Sequence, residues 1–521
     1  MTTATAETKH DINNRKSGKK GKRALKLLAI LAVVLPSLAA YFSNASKLPD
    51  AINMSSTQHL HGSDLPNAPD PISIESLRLG ETDAPLQTYT LTAEVITRPG
   101  LPDQWGFNGS VPGPELRVKQ GDHVRVTLVN NLPVATSIHW HGISVPNAAD
   151  GVAGVTQDAV KPGQSYTYDF LATDPGTYWY HSHQDTSNQI PRGLLGALVV
   201  EPENLPHYDH DYTLLYHDMK PLVREFLPIV QKIAGVIDKD AIAVNGTNTA
   251  TRLDANPGEL VRLRLINGTA GELRAYGDPL RMVLLGVDYQ VVALDGHDLN
   301  EPQEIGSEVL SIGSGQRYDL VFRMPTSGVV QLVGEDQTTT VTLGQGQIAT
   351  PDLAKFSTFD FTTYGKPKPD PLASRSSFDN TQDLILGNHP GFHDGKFGLS
   401  HTINGKEFPV VPMIMVEPGQ AVKLHIVNQS DEYHPMHLHG HYFTVLAKNG
   451  IPLSGSPVHL DTILLAPGET WDIAFLADNP GLWMLHCHIL IHAVTGMDMM
   501  LVYPNISTPY TVGTKSGNIP E

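Results

Sequence analysis

Trp483-Met-Leu-His486-Cys487-His488-Ile-Leu-Ile-His492-Ala-Val-Thr-Gly-Met497 is the stretch from which the rest of the chain can be read. It holds the single cysteine of 521 residues, with a histidine on each side, another histidine five residues on and a methionine five beyond that. A thiolate, two imidazoles and a long thioether contact are the ligands of a blue-copper electron-transfer site. His486 and His488 cannot serve the same ion as Cys487. On a strand, successive side chains point to opposite faces, so these two histidines face a second metal centre and Cys487 links the two. One further histidine for the cysteine site must come from elsewhere in the chain.

A unit recurs upstream of this stretch. Asn108-Gly109 is followed by Gly121-Asp122 and the alternating run Val124–Val129. Asn245-Gly246 leads to Gly258-Glu259 and Val261–Ile266, and Asn404-Gly405 leads to Gly419-Gln420 and Val422–Val427. Each reads as a turn followed by a strand with one buried face. Gly163-Gln164 with Tyr168-Asp169, Gly315-Gln316 with Tyr318-Asp319, and Gly468-Glu469 with Trp471-Asp472 close the units in the same order. Repetition at this period, with short strands and Gly/Pro punctuation, predicts an all-β chain of three consecutive Greek-key β-sandwich domains. Their expected limits are 66–205, 206–368 and 369–521, the last boundary lying in the Pro-rich Lys366–Pro371. Pro221–Asp238 breaks the β pattern with apolar residues at helical spacing. It reads as a helix covering one face of the second domain, the alternative being a lid over a substrate cleft.

The first and third units carry histidine pairs at matching offsets. Gly121 to His139 and Gly419 to His437 are both eighteen residues, giving His139-Trp140-His141-Gly142 and His437-Leu438-His439-Gly440. His181-Ser182-His183 and His486-Cys487-His488 each begin five residues after the glycine of a Pro-Gly pair. Counted without gaps, the middle unit has Tyr276 and Asp278, then Val333 and Glu335. It has no metal ligands and reads as a spacer. Eight imidazoles beside a Cys–His–Met site point to a copper cluster between the first and third domains, with His434 as the missing blue-copper ligand. His59 and His61 lack such surroundings and are set aside. The single histidines His217, His297, His389, His393 and His459 read as ordinary hydrogen-bonding residues.

With these four motifs in this order, the chain resembles the three-domain, laccase-like multicopper oxidases over about residues 85–505. The resemblance implies a cupredoxin fold in each domain and four copper ions. It places type 1 copper on His434, Cys487 and His492 with Met497 as weak axial ligand, and type 2 copper on His139 and His437. One type 3 copper would take His141, His181 and His488, the other His183, His439 and His486. Electrons from a small reducing donor would enter at type 1 copper, through the exposed edge of His434 or His492. They would pass by Cys487 to His486 and His488, and four of them would reduce O2 to water. Asp150, in an Asp-Gly pair nine residues past His141, matches the family's buried acid that supplies protons. Ala493 stands where some bacterial relatives carry a second acid.

Charge and composition limit the partners. Residues 1–42 carry 8 basic and 2 acidic residues, and the remainder 28 basic against 52 acidic, a formal −24. So acidic a surface excludes nucleic acid as a natural partner and needs no anionic membrane. The basic cluster from Arg15 to Lys26, followed by the apolar run Leu27–Phe42, reads as a signal peptide or an uncleaved N-terminal anchor over 1–42, with a polar linker over 43–65. Export into the periplasm or medium is the expectation, although the lone Cys487 allows no intrachain disulfide. No obligate protein partner is evident.

The donor is less legible. The twelve methionines are scattered, with only Met413/Met415 and Met497/Met499/Met500 close together, so a Met-rich Cu(I)-gathering insertion is absent. Asp431 and Glu432 lie just before His434 and read as a solvated turn. Oxidation of phenols or aromatic amines is then the most economical expectation, with a cuprous or ferrous oxidase as the alternative. A copper nitrite reductase does not need eight cluster histidines, and a non-enzymatic copper-binding envelope protein would be expected to have lost ligands.

Overall fold

The computed structural model describes residues 34–55, 70–97, 103–204, 206–219, 242–271, 278–335, 339–346 and 351–521. The first 33 residues of the proposed targeting segment, the His59/His61 pair and the proposed 221–238 helix lie outside the described residues.

Two units separate. The smaller comprises the described part of Met1–Leu48 with His389–Ser400. Within it, a helix over 34–45 meets the tip of a hairpin, where Ser43 Oγ donates to the Gly395 carbonyl at 2.6 Å and Phe42 stacks on Phe392. No helix among the described residues is long and apolar enough to cross a membrane.

The larger unit, Pro49–Asn388 with His401–Glu521, is built from β-sheets. Its repetition begins at the three Asn-Gly pairs. Asn108, Asn245 and Asn404 have φ of 53°, 48° and 53°, and the glycines after them 74°, 85° and 68°. Two successive residues with positive φ make the tight turn whose twist suits a hairpin, and Asn-Gly tolerates it best. Each Asn side chain then clamps the neighbouring strand in the same way. Asn108 binds the backbone of Thr92 and Thr90, Asn245 that of Leu215 and Thr213, and Asn404 that of Ile385 and Asp383, all at 2.7–2.9 Å.

The alternating runs become the central strands His123–Asn130, Leu260–Asn267 and Ala421–Asn428. Each runs parallel to an earlier strand and antiparallel to a later one: Leu86–Ile96 and Ser165–Leu171, His210–Asp218 and Arg317–Arg323, Asn380–His393 and Thr470–Leu476. Among the described residues six of the seven sheets fall into three pairs, of four and four, six and five, and seven and five strands, and the seventh is a two-stranded pairing of Ile72–Ser73 with Ile506–Ser507. The fold is all-β and cupredoxin-like.

The second sheet of each pair carries the positions that matter for the site. In the first, His139–His141 pairs antiparallel with Gly176–His181, so that His139 faces His181. In the third, His434–Leu438 pairs with Leu482–Cys487, so that His437 faces His486. In the middle, Leu280–Leu285 pairs with Val329–Gly334, so that Val283 faces Val333. Alternation sends the intervening side chains inward. Trp140 is fully buried, 5.0 Å from the Phe170 ring, and Leu438 and Leu485 enter the core on the other side. Fully burying such side chains stabilises by roughly 1.5–3 kcal/mol each, and this fixes the register that aims the histidines the other way.

Candidate metal centre

Two buried donor sets lie on opposite faces of the strand Leu482–Cys487. On one face, Cys487 Sγ is 3.7 Å from His434 Nδ1 and 3.6 Å from His492 Nδ1, and these two nitrogens are 3.1 Å apart. His434 opens its strand, Cys487 ends the neighbouring one and His492 sits in the short helix Leu490–Val494. Met497 is fully buried, donating its N–H to the His492 carbonyl and accepting from the Cys487 N–H. Burial pushes the Cys487 thiol up, and burial with the neighbouring His401 brings His434 down to about 3. A proton is unwelcome on the His434 imidazole, whereas a cation would be held by three converging ligand atoms.

On the other face lie all eight paired histidines, each 1% exposed or less. Their hydrogen bonding divides each ring. His139 Nδ1 bonds the Asp150 carbonyl, His181 Nδ1 that of Ser182, and His437 Nδ1 that of Asp461, at 2.9–3.0 Å. His488 Nδ1 meets Ser314 Oγ at 2.9 Å, and His141 reaches Asp461 Oδ1 through Nε2 at 3.1 Å. The opposite nitrogens, Nε2 of His139, His181, His437 and His488 and Nδ1 of His141, have no hydrogen-bond partner, and neither nitrogen of His183 has one. A buried polar atom without a partner costs on the order of 1–3 kcal/mol. Five rings left in that state and oriented from behind, with His183 beside them, are what a metal cluster requires. His439 and His486 turn their Nε2 atoms to within 3.1 Å of each other.

The sequence-predicted residues are therefore brought together. His183, His439 and His486 converge as one triple, and His434, Cys487 and His492 as another. The rings of His141, His181 and His488 lie with centroids 4.9–5.7 Å apart. His139 sits centrally, within ligand reach both of His141 with His181 and of His437 with His439. Asp150 is fully buried, and its carboxylate contacts His439 Nδ1 and His139 Nδ1 at about 3.1 Å.

Several expectations are corrected. His434 and His492 present no exposed edge, being 0% and 3% exposed. Glu432 is not in a solvated turn: it is buried, bonds His401 Nε2 at 2.8 Å and comes within 3.7 Å of His492 Nε2, whereas Asp431 is exposed. His401, missed by the sequence reading, stacks on His492 with ring centroids 3.9 Å apart. Its strand precedes His434 by some thirty residues, and only the acid two positions before His434 hinted at this cluster. In the middle unit the positions equivalent to His437 and His439 are Val283 and Leu285, not Tyr276 and Asp278. Tyr276 lies outside the described residues, and the Val283–Val333 register requires a shift that an ungapped count misses.

The middle unit is also more than a spacer. Besides Ser314 it supplies Arg317, which is fully buried and paired with Asp461 through both guanidinium ends. Burial alone would raise the Asp461 carboxyl, but the Arg317 charge and hydrogen bonds from His141 and His437 outweigh it and hold it well below the usual carboxylate range. A further carboxyl unforeseen in the sequence, that of the partly buried Glu521, lies 3.3 Å from His486 Nδ1 and is bonded by Thr186 Oγ1.

The comparisons with known proteins agree with this geometry. Family models described as multicopper oxidase match residues 91–205 and 379–507. The chain is 30% identical to Laccase-1 of Botryotinia fuckeliana over 482 residues, covering 82% of this chain and 83% of that protein. It is 28% identical over 480 residues to the iron transport multicopper oxidase FET3 of Gibberella zeae, covering 78% and 74%. The crystal structure of a multi-copper oxidase from Pseudomonas thermotolerans superimposes with a TM-score of 0.64 at 28% identity, covering 82% of this chain and 100% of that one.

Proposed function

The chain belongs to the multicopper oxidases, and from that premise we propose that it oxidises phenolic or aromatic-amine donors one electron at a time at the expense of O2, which becomes water. As a member of the family it is an oxidoreductase that uses one type 1, one type 2 and two type 3 coppers. The observation that carries the reading is the tripeptide His486-Cys487-His488, whose thiol belongs to one buried donor set and whose imidazoles belong to the other.

We assign His434, Cys487, His492 and Met497 as the residues that would hold type 1 copper, and His139 with His437 as those that would hold type 2. His141, His181 and His488 would hold one type 3 ion, and His183, His439 and His486 the other. Bound copper supplies the redox chemistry, one-electron oxidation of the donor and four-electron reduction of O2. The chain supplies the rest. Covalent bonds from Cys487 to both neighbours give electrons a short route between the two faces of the strand. Burial keeps water from the thiol and disfavours the charged form of His141, His181, His183, His437, His439, His486 and His488, leaving the neutral form that binds metal. Asp150 orients His439 and His139 and is the carboxylate from which protons reach the chamber. Export, with residues 1–42 as signal or anchor, is part of this reading, as is the three-domain division at 66–205, 206–368 and 369–521.

A second reading has its own support. Glu432 and Asp431 put carboxylates beside the His434–His492 pocket, which suits a cationic donor such as Fe(II) or Cu(I). O2 consumption by the copper-loaded protein with a phenol, Fe(II) and Cu(I) in parallel distinguishes the two. Fast turnover of the phenol supports the laccase-type reading. A large preference for a metal ion with little phenol turnover replaces it by a metal-ion oxidase.

A further inference from the structure

The middle sheet pair carries none of the proposed copper ligands, yet it reaches the chamber with a fully buried arginine. Arg317 begins the strand Arg317–Arg323 and uses all five guanidinium N–H groups. Nε donates to the Thr177 carbonyl of the first sheet pair at 2.9 Å. Nη1 donates to its own neighbour Gly315 at 3.1 Å and to Asp461 Oδ1 at 2.9 Å, and Nη2 to the Asp295 carbonyl at 3.0 Å and to Asp461 Oδ2 at 2.6 Å. One side chain thus ties together groups from all three repeats. Asp295 completes the frame, its carboxylate accepting the backbone N–H of Arg317, Asp461 and Thr462 at 2.9–3.3 Å.

Asp461 passes this restraint to two rings. Its carboxylate takes His141 Nε2 at 3.1 Å, and its carbonyl takes His437 Nδ1 at 3.0 Å. Thr462 Oγ1 donates to Asp461 Oδ1 at 2.8 Å and touches the same two ring nitrogens at 3.3 and 3.2 Å. The two rings stack with centroids 3.7 Å apart, and each turns its other nitrogen, without a protein partner, into the chamber. Gly142 fits the same arrangement. At φ +87° it directly follows His141, and a Cβ there would collide with the Arg317 guanidinium and with Asp461 Oδ2. The glycine of the His-Trp-His-Gly motif is required by the arginine that reaches in from the middle repeat.

We propose that Arg317, acting through Asp461, is the positioning residue of the chamber, fixing His141 as the Nε2–H tautomer and His437 as the Nδ1–H tautomer so that the opposite nitrogens face copper. The proposal rests on the copper assignment above and adds to it a role for the repeat that carries no ligand. A carboxylate pinned by a bidentate guanidinium can only accept from His141, and a backbone carbonyl can only accept from His437. Neither ring is free to turn.

The test compares Asp461→Asn, Arg317→Lys and the gentler Thr462→Val with the unsubstituted chain. An asparagine amide keeps one acceptor oxygen: in the Oδ1 position it serves His141 and Arg317 Nη1 but sets its NH2 against Nη2, and in the Oδ2 position it serves Nη2 but turns its NH2 on His141. Its NH2 then either opposes the guanidinium or demands the other tautomer of His141. Long-range 1H–15N spectra of copper-free protein labelled at histidine read the tautomers directly. The expected result is the stated pair of tautomers in the parent and a changed state in Asp461→Asn. Chelator competition should show chamber copper bound about 10–100-fold more weakly, with the type 2 EPR signal and type 3 near-ultraviolet absorption diminished and the blue type 1 absorption kept. Thr462→Val loses only a hydroxyl, retains the fold and should show the smaller end of that loss. Parent-like copper affinity and tautomers in Thr462→Val and in every folded variant of the other two would overturn the proposal. If the parent itself takes up no chamber copper while its tautomers are as stated, the copper assignment falls and the hydrogen-bonded clamp alone remains.

Discussion

At one and the same register of the fold, His139 faces His181 in the first repeat, His437 faces His486 in the third, and Val283 faces Val333 in the middle. In the middle repeat these valines join Leu285, Val309 and Leu353 in a closed apolar cluster. In the other two the same strand ends open onto a chamber of imidazoles, six of which have a ring nitrogen without a protein partner. The scaffold is thus indifferent to what fills this position. It accepts a dry core that stabilises by burial, or a set of polar rings that costs stability until metal satisfies it.

That contrast can be broken by making the first repeat copy the middle one. His139→Val with His181→Val should abolish chamber copper and lower turnover by at least three orders of magnitude, about 4 kcal/mol in the barrier. The metal-free protein should unfold no earlier than the parent, because two unsatisfied rings are replaced by apolar groups of the kind the middle repeat already uses. Copper analysis, O2 uptake and thermal unfolding of the apo forms measure all three, and retained O2 reduction would refute the assignment. Cys487→Ser attacks the link between the faces instead. The blue absorption and turnover with a phenol should both vanish while most chamber copper stays, and a variant that still reduces O2 with a phenolic donor would show that electrons do not pass through the thiol.

The remaining two outcomes sharpen the comparison. Leu285→Ala removes a buried side chain from the apolar counterpart of the chamber and should cost about 2–4 kcal/mol in urea unfolding of the metal-free protein, with kcat unchanged. A fall in kcat of comparable size would mean that the middle cluster is coupled to the reaction. The smallest effect is expected for Glu432→Gln. With the charge beside His401 and His492 gone, kcat/KM for Fe(II) should fall about fivefold, on the order of 1 kcal/mol, and that for a neutral phenol should hardly move. Equal losses for both donors would assign Glu432 to holding His401 in place and not to donor choice.

Much of this was legible in sequence because it is local. The Asn-Gly turns, the alternating strands and the spacing of the histidine pairs obey the period-2 geometry of a strand. Cys487 and its neighbours were assigned to opposite faces on that ground alone. What stayed hidden came from elements far apart in the chain. The packing of His401 on His492 and the approach of Glu521 to His486 leave no periodic trace. The misplaced Tyr276 and Asp278 show how one uncounted insertion defeats an offset argument, whereas Val333, on the strand with no insertion, was located correctly.

The sequence by itself determined the type and number of the clustered imidazole and thiol side chains proposed as ligands and the face of the strand each one occupies, since both follow from residue identity and backbone alternation. Only the tertiary structure decided which nitrogen of each imidazole is free to bind. That choice depends on the hydrogen-bond partner behind the ring. For His141 the partner is Asp461, 320 residues away and held by Arg317 from a repeat with no ligands of its own. Hydrogen bonds act over about 3 Å in space without regard to distance along the chain, so no local pattern could have announced them.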